Sequence, residues 1–317
     1  MGERLELAAV GAAVRRFDQL GRGSLLTINL SPDTVGSPLL AEFTRRSSAR
    51  RLRVATGTSA LRTVGGMTMA TTASSRRIEC DGAFNVRDLG GYRARDGRTV
   101  RWRRLFRADG LHRVATGSSA ALDALGWRTV LDLRTDIEVG AAQYRCDGVE
   151  VVHLPILRET WDVDTLTVDD EPAEFLAERY LHMTEVGGDA VRAAFTLLAS
   201  REQLPAVFHC SAGKDRTGVL AALLLSSLGV DDAQIADDYH LSAPAMAQLV
   251  AWITAHRPEV TEHMARQPAA FLSCPPDAIL LFLDRLRERH GSVPAYLREV
   301  GVGDDVVTSL RGALLER

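Results

Sequence analysis

The chain has 317 residues, 46% of them hydrophobic and 25% charged, with a formal net charge of −3. That balance suits one large globular domain or a domain with an appendage, and no run of about 18 apolar residues is present to cross a membrane. Residues 1–66 hold ten Arg against five Asp/Glu and the remainder 28 Arg/Lys against 36 Asp/Glu, so the bulk of the chain has no general attraction for nucleic acid and must capture any anionic ligand locally.

The start, Met1-Gly2-Glu3-Arg4-Leu5-Glu6, is acidic and lacks the apolar core of a secretory signal. Leu5 to Leu20 has helical apolar spacing with Gly21 as a stop, Leu25–Leu30 reads as a strand, and Ser37-Pro38 opens a second helix. A basic run, Arg45 to Arg53, leads into Ser/Thr/Gly/Ala-rich sequence that reads as a linker up to Ser75. Met67 and Met69 stand near its end as alternative starts. Beyond Ile78 the signals are denser. Gly90-Gly91 and Asp96-Gly97 predict hairpin turns. Ser118–Gly126 reads as a short helix, and Thr129–Leu133 and Val149–Leu154 as buried strands. Asp162 to Pro172 is acidic and loop-like. Helices are expected over Ala173–Met183 and Asp189–Ala199. Pro205–His209 is a strand, Thr217–Leu228 an apolar helix closed by Gly229, and Ala243–His256, Asp277–His290, Val293–Val300 and Asp304–Leu315 are further helices. Strands alternating with helices predict an α/β fold with a central, mostly parallel sheet flanked by helices and a helical C-terminal part.

The chemistry concentrates between strand and helix, in His209-Cys210-Ser211-Ala212-Gly213-Lys214-Asp215-Arg216-Thr217-Gly218. Successive backbone amides in a tight loop that opens a helix converge on an anion, and the helix dipole adds to their field. Gly213 permits the turn, and the planar fork of Arg216 can clamp two phosphate oxygens. The same field favours a thiolate at Cys210. The residues therefore imply attack of Cys210 on phosphorus and hydrolysis of a phosphocysteine. Arg216 and the backbone amides from Ser211 to Arg216, with Ser211, Ala212, Gly213, Lys214 and Thr217 as the substrate-binding residues, would hold the phosphoryl oxygens, and the Thr217 hydroxyl would assist the thiolate as leaving group. Asp215, a carboxylate beside an incoming dianion, is the first candidate for the general acid and Asp162 the second. Lys214 is the single lysine among 38 Lys plus Arg residues. Its place in this loop suggests that a compact ammonium is wanted there. A Walker A reading fails, because Phe208 and Asp215 occupy positions that motif gives to Gly and Ser/Thr. The four cysteines, Cys80, Cys146, Cys210 and Cys274, have no paired spacing and read as reduced thiols of a cytosolic protein. Export without a signal peptide stays open.

This loop closely resembles the signature of the atypical bacterial tyrosine phosphatases with a Cys-x-x-Gly-Lys-Asp-Arg loop. Phe84–Tyr92, Leu105–Asp109, Asp132-Leu133-Arg134 with Glu138, and Tyr296-Leu297-Arg298 are similar to other stretches of that family. The resemblance spans roughly residues 78–317. It implies the protein tyrosine phosphatase fold, with Cys210 as nucleophile, Arg216 as clamp, and Lys214 and Asp215 as typical loop residues. It implies action on phosphotyrosine proteins as the first expectation and on phosphoinositides or phosphoserine/threonine as the alternative, with no cofactor and no metal. A catalytically silent phosphate-binding module is the competing class. One departure concerns the acid: where some relatives carry an aspartate after the strand equivalent to Val149–Leu154, this chain has Pro155-Ile156-Leu157-Arg158. Asn85, Arg87, Asp88, Asp132 and Arg134 read as support around the site, and His209 as an orienting hydrogen-bonding group rather than a base. Residues 1–66 lie outside the resemblance and 67–77 form the linker. The segment around Leu25–Pro32 resembles one internal piece of cyclic-di-GMP phosphodiesterases of the Glu-Ala-Leu type, with Asn29 where that family has a metal-binding asparagine. The rest of that domain is missing, so neither metal nor that activity is expected.

Overall fold

The computed structural model describes residues 76–114, 120–144, 146, 148–159, 161, 171–257, 260, 261, 264 and 267–317, with four short strands ahead of them. The chain divides into two units, Met1–Ser75 and Arg76–Arg317. In the first, β1 (Leu26–Asn29) pairs in parallel with β2 (Leu52–Ala55), and β3 (Arg62–Val64) pairs antiparallel with β4 (Met67–Met69). The strand expected near Leu25–Leu30 is thus β1. The other three fall in the basic run and the Ser/Thr-rich stretch, where no alternating pattern announces them. The helices expected over Leu5–Leu20 and from Ser37 lie outside the described residues.

The second unit runs β5 (Arg87–Asp88), β6 (Thr99–Val100), β7 (Leu105–Ala108), α1 (Ala120–Asp123), β8 (Thr129–Asp132), α2 (Asp136–Ala141), β9 (Glu150–His153), α3 (Pro172–Val186), α4 (Gly188–Ala199), β10 (Ala206–His209), α5 (Asp215–Leu228), α6 (Asp232–His240), α7 (Ser242–His256), α8 (Pro276–His290), α9 (Val293–Glu299), α10 (Asp304–Leu314) and β11 (Leu315–Glu316). Its sheet has the order β5-β7-β10-β8-β9. Strands β7, β10, β8 and β9 are parallel, and β5 adds an antiparallel edge. This is the mostly parallel, helix-flanked sheet that the alternation predicts. Strands β7, β8 and β10 are buried along their whole length, as strands with helices on both faces must be. The expectation of a buried strand at Val149–Leu154 is corrected: β9 is the outer edge, and Glu150, Val151 and His153 are exposed. The Asp96-Gly97 hairpin is present, with Val100 N donating to Tyr92 O at 2.8 Å and Gly91 N to Val100 O at 2.7 Å.

Helix α5 is apolar nearly all round and sits in the middle of the core, which is the setting such a helix requires. It begins at Asp215, two residues before the expected Thr217, so Asp215 and Arg216 belong to its first turn. Helix α6 has too sparse an apolar pattern to be read from sequence. Asp231 caps it by accepting Gln234 N at 2.9 Å, and it buries Asp238 and Tyr239 beneath the catalytic-type loop. No helix among the described residues is long and apolar enough to cross a membrane.

Candidate active site

Strand β10 ends at His209 and α5 begins at Asp215, so five residues, Cys210 to Lys214, turn the chain back on itself. Every carbonyl of that turn is drawn outward by a donor. Cys210 O accepts from His209 Nδ1 (3.1 Å), and Ser211 O from Gly110 N (3.1 Å) and Arg113 Nη1 (3.3 Å). Ala212 O and Gly213 O accept from Asn85 Nδ2 (3.2 and 3.1 Å). Gly213 O also accepts from Arg107 Nη2 (2.8 Å), and Lys214 O from Gly218 N (2.7 Å). In a trans peptide the C=O and the next N–H point opposite ways. Five carbonyls held outward therefore aim the amides of Ser211 to Asp215 inward, and those of Ser211 to Lys214 have no protein acceptor among the described residues. The result is an anion-binding nest at a helix N-terminus. Gly213 is required at φ +66°, because a Cβ there would stand 2.5 Å from Ala108 O.

Cys210 is 2% exposed and lies on the floor of a cavity of about 280 Å³. Arg216, 9% exposed, is gripped end-on by Glu138: Nη2 donates to Oε1 at 2.8 Å and Nη1 to Oε2. Its Nε has no partner among the described residues, so the side edge of the fork is free. Glu138 is itself fixed. It closes a capping box with Thr135 at the start of α2, accepts Thr135 N at 2.8 Å, and accepts Ser211 Oγ at 2.6 Å. Burial pushes its carboxyl up, but the bonds and charge of Arg216, with Ser211 and Thr135, outweigh that and hold it at about 2. The same pair, against the pull of burial, raises Arg216 above its usual value. Thr217 Oγ1 is buried with no partner among the described residues.

The structure sends Lys214 away from the nest. Its ammonium is fully buried and donates to Ser273 O (2.8 Å), Phe271 O (2.9 Å) and Ala270 O (3.3 Å), with Asp215 Oδ1 3.2 Å away. The charge expected to face substrate is occupied by backbone carbonyls of the cavity wall. Asp215 borders the cavity, and its Oδ1 also accepts Tyr180 Oη at 2.7 Å. Its Oδ2 has no partner among the described residues. Asp162 lies outside the described residues.

The expected supporting residues form two groups. Behind the loop, Arg87 donates to Asp238 (Nε to Oδ1 3.1 Å) and to Asn85 Oδ1, while Arg107 Nη1 bonds Asp238 Oδ2 at 2.6 Å. Asp238 is held below the ordinary carboxylate range because these two guanidiniums overcome its burial. Asp109 accepts Asn85 N (2.9 Å) and Arg113 Nη2 (2.6 Å). On the other side Arg134 forks onto Asp132 and reaches Ala142 O at 3.1 Å. His209 is neutral, its pKa lowered by burial to about 4. Because Nδ1 must donate to Cys210 O, Nε2 accepts from Tyr144 Oη at 2.5 Å. Asp88 is not brought to the cavity; it braces the turn at Arg103 by accepting Gly90 N and Arg103 N, each at 2.7 Å. Sequence reasoning gave no role to Tyr180, Arg107, Asp238 or Glu138, although Arg107 and Glu138 fall in stretches similar to the family, and Thr135-x-x-Glu138 is also a capping pattern. Among the described residues no group of three or more His, Cys, Asp or Glu side chains is placed to hold a metal ion.

Above the loop the cavity lining is mostly apolar. Trp161 stacks on Phe271 (5.7 Å, 13°), Met183, Met246, Leu249 and Ile253 are among the apolar side chains beside them, and Arg113 and Gln267 add polar groups. The arrangement can hold an anion at its base and an apolar group above it.

A model of the tyrosine phosphatase family matches residues 78–316. "Triple specificity protein phosphatase PtpB" of Mycobacterium tuberculosis is 31% identical over 278 residues, which cover 75% of this chain and 98% of that protein. H16_A0669 of Cupriavidus necator, named provisionally as a tyrosine-protein phosphatase, is 32% identical over 247 residues, 74% of this chain and 87% of that protein. Among solved structures, that of P. aeruginosa TpbA overlaps 68% of this chain and 89% of its own at 16% identity and a TM-score of 0.26, a likeness too loose to carry weight.

Proposed function

The chain belongs to the tyrosine phosphatase family, and from that premise we propose that it hydrolyses phosphotyrosine on protein substrates through a phosphocysteine at Cys210. The observation that carries the reading is the run of five outward-held carbonyls, which leaves inward amides around Cys210 at the base of an apolar cavity. The inward amides and the free Nε edge of Arg216 take the three non-bridging oxygens. The sulfur of Cys210 bonds to phosphorus as the bond to the tyrosyl oxygen breaks, and Oδ2 of Asp215, which has no partner among the described residues, gives that oxygen its proton. In the second step Asp215 takes a proton from the attacking water. Phosphorus parts from sulfur, and the Thr217 hydroxyl donates to the departing thiolate. The aromatic and aliphatic walls suit a phenyl leaving group.

The test is Cys210→Ser. Turnover of a phosphotyrosine peptide should vanish while binding of inorganic phosphate persists. A wild-type protein that binds phosphate without turning over any ester would be a silent binding module, and the proposal would fall.

A broader specificity is the second reading, favoured by the name of the M. tuberculosis relative and by a cavity of about 280 Å³ that is roomier than one ring needs. Phosphoserine/threonine peptides and phosphoinositides are then substrates too. The charge of Lys214 lends no support to the lipid case, since its ammonium is committed to the wall. Comparing kcat/KM across phosphotyrosine peptides, phosphothreonine peptides and phosphoinositides, with chelator present, decides between the readings.

A further inference from the structure

Two tyrosines lie beneath Asp215. Tyr180 projects from α3 and Tyr239 from α6, and they are 0% and 1% exposed. Their rings meet edge to face at 6.0 Å, and Tyr180 also packs edge-on against Phe282 at 6.2 Å. Phenylalanine would fill both places equally well, and burying a hydroxyl costs free energy unless it is bonded. Both hydroxyls are bonded, and to each other: the two Oη atoms are 2.6 Å apart, and Tyr180 Oη is 2.7 Å from Asp215 Oδ1. A phenol has one proton. Tyr180 gives its proton to Asp215, so Tyr239 must give its own to Tyr180, and the hydroxyls line up head to tail toward the carboxyl. Burial above all, and then the nearby Asp215, hold both phenols protonated well past neutrality. Gly218 makes room for this line. A Cβ there would come within 3.1 Å of the Tyr239 ring.

With Tyr180 and Lys214 both directed at Oδ1, the oxygen left to exchange a proton is Oδ2, which has no partner among the described residues. We infer that Tyr180 and Tyr239 are positioning residues for proton transfer: they fix the carboxyl of Asp215 so that Oδ2 serves the leaving group, and they stabilise the carboxylate formed when its proton departs. The inference rests on the reading of Asp215 as proton donor. No extra reactant enters. The proton moves from Oδ2 to the bridging oxygen, the O–H electron pair stays on Asp215, and the tyrosine protons shift only along their existing hydrogen bonds.

The experiment is a leaving-group series of aryl and alkyl phosphates, measured on the full chain as wild type, Tyr180→Phe, Tyr239→Phe, Asp215→Asn and the Tyr180→Phe/Asp215→Asn pair. A proton donor matters most where the leaving oxygen is basic. Tyr180→Phe should lower kcat/KM about tenfold for alkyl or unsubstituted phenyl phosphate, the size expected for one hydrogen bond to a forming charge. For 4-nitrophenyl phosphate the loss should stay under about threefold, with inhibition by inorganic phosphate unchanged, because that leaving group needs little proton transfer. Tyr239→Phe should act in the same direction with a smaller loss. It carries the test if Tyr180→Phe fails to fold. In the Asp215→Asn background Tyr180→Phe should add no leaving-group dependence. If Asp215→Asn slows every ester alike, the assignment of the acid falls and this inference falls with it. If Asp215→Asn is selective for basic leaving groups and the tyrosine variants are not, the acid stands and the positioning role is overturned.

Discussion

Two carboxylates stand at helix starts on either side of the Cys210 loop, and they are held in opposite ways. Glu138, in the first turn of α2, has both oxygens taken: Oε1 by Ser211 and Arg216, Oε2 by Thr135 and Arg216. Asp215, the first residue of α5, has one oxygen taken and one without a partner among the described residues. A carboxylate with every lone-pair direction occupied next to a guanidinium is a fixed counter-ion. One with a free oxygen at a cavity edge can exchange a proton. The residue types are nearly the same, and the difference lies in what the fold brings to each.

That contrast can be broken in four ways. The largest effect is expected from Asp215→Asn, which removes the exchanging group. It should lower kcat for a phosphotyrosine peptide by about 10²-fold or more, the ordinary value of a positioned proton donor, and leave phosphate inhibition nearly as it was. Glu138→Gln should behave differently. Arg216 loses its partner, so kcat/KM falls by about tenfold to a hundredfold and phosphate binding weakens with it. Thermal unfolding should also show a loss of about 3 kcal/mol, as when one partner of a buried pair is removed. Equal behaviour of the two variants would erase the distinction.

The third way is pH. Glu138 has its carboxyl lowered from 4.5 to about 2 in the folded state. A depressed acid contributes stability that is fully present above its unfolded value and is lost as pH falls through its folded one. A contribution of about 3 kcal/mol should therefore drain away between pH 4.5 and about 2, and the Glu138→Gln variant should show a flatter acid limb in denaturant titrations. The smallest effect belongs to Ser211→Ala. It deletes one hydroxyl bond to Glu138 and should cost about 1–2 kcal/mol or less, seen as a slightly weakened phosphate affinity.

Much of this was legible in the chain. Strand Ala206–His209, the loop after it and the apolar helix after that are local, and each has its own residue signal: β-branched and aromatic residues, a glycine at the turn, an unbroken aliphatic run closed by Gly229. The inward amides follow from those signals once the outward donors are known. The donors themselves were half legible. Asn85 stood in a stretch that resembled the family, but its reach to Ala212 O and Gly213 O depends on a sequence separation of 127 and 128 residues that no periodicity records. Tyr180 and Tyr239 were invisible for the same reason: the sequence of α3 says only that one face is buried, and that of α6 is too sparse in apolar residues to announce even the helix. The exposure of β9 depends on which strand ends up at the sheet edge, and Val-rich sequence does not distinguish edge from centre. Lys214 is the sharpest case. Its uniqueness marked it, and its destination was settled by carbonyls near 270, more than fifty residues away.

That destination also makes the chain an unusual target for labelling. The one ε-amino group it possesses is sealed under the cavity wall and shares its three protons among backbone oxygens. An amine-reactive reagent reaches it only when the wall lifts off the loop, because the reagent needs an accessible nitrogen lone pair. The rate at which that nitrogen is acylated would then clock the opening of this single joint, with no other lysine in the sequence to blur the count.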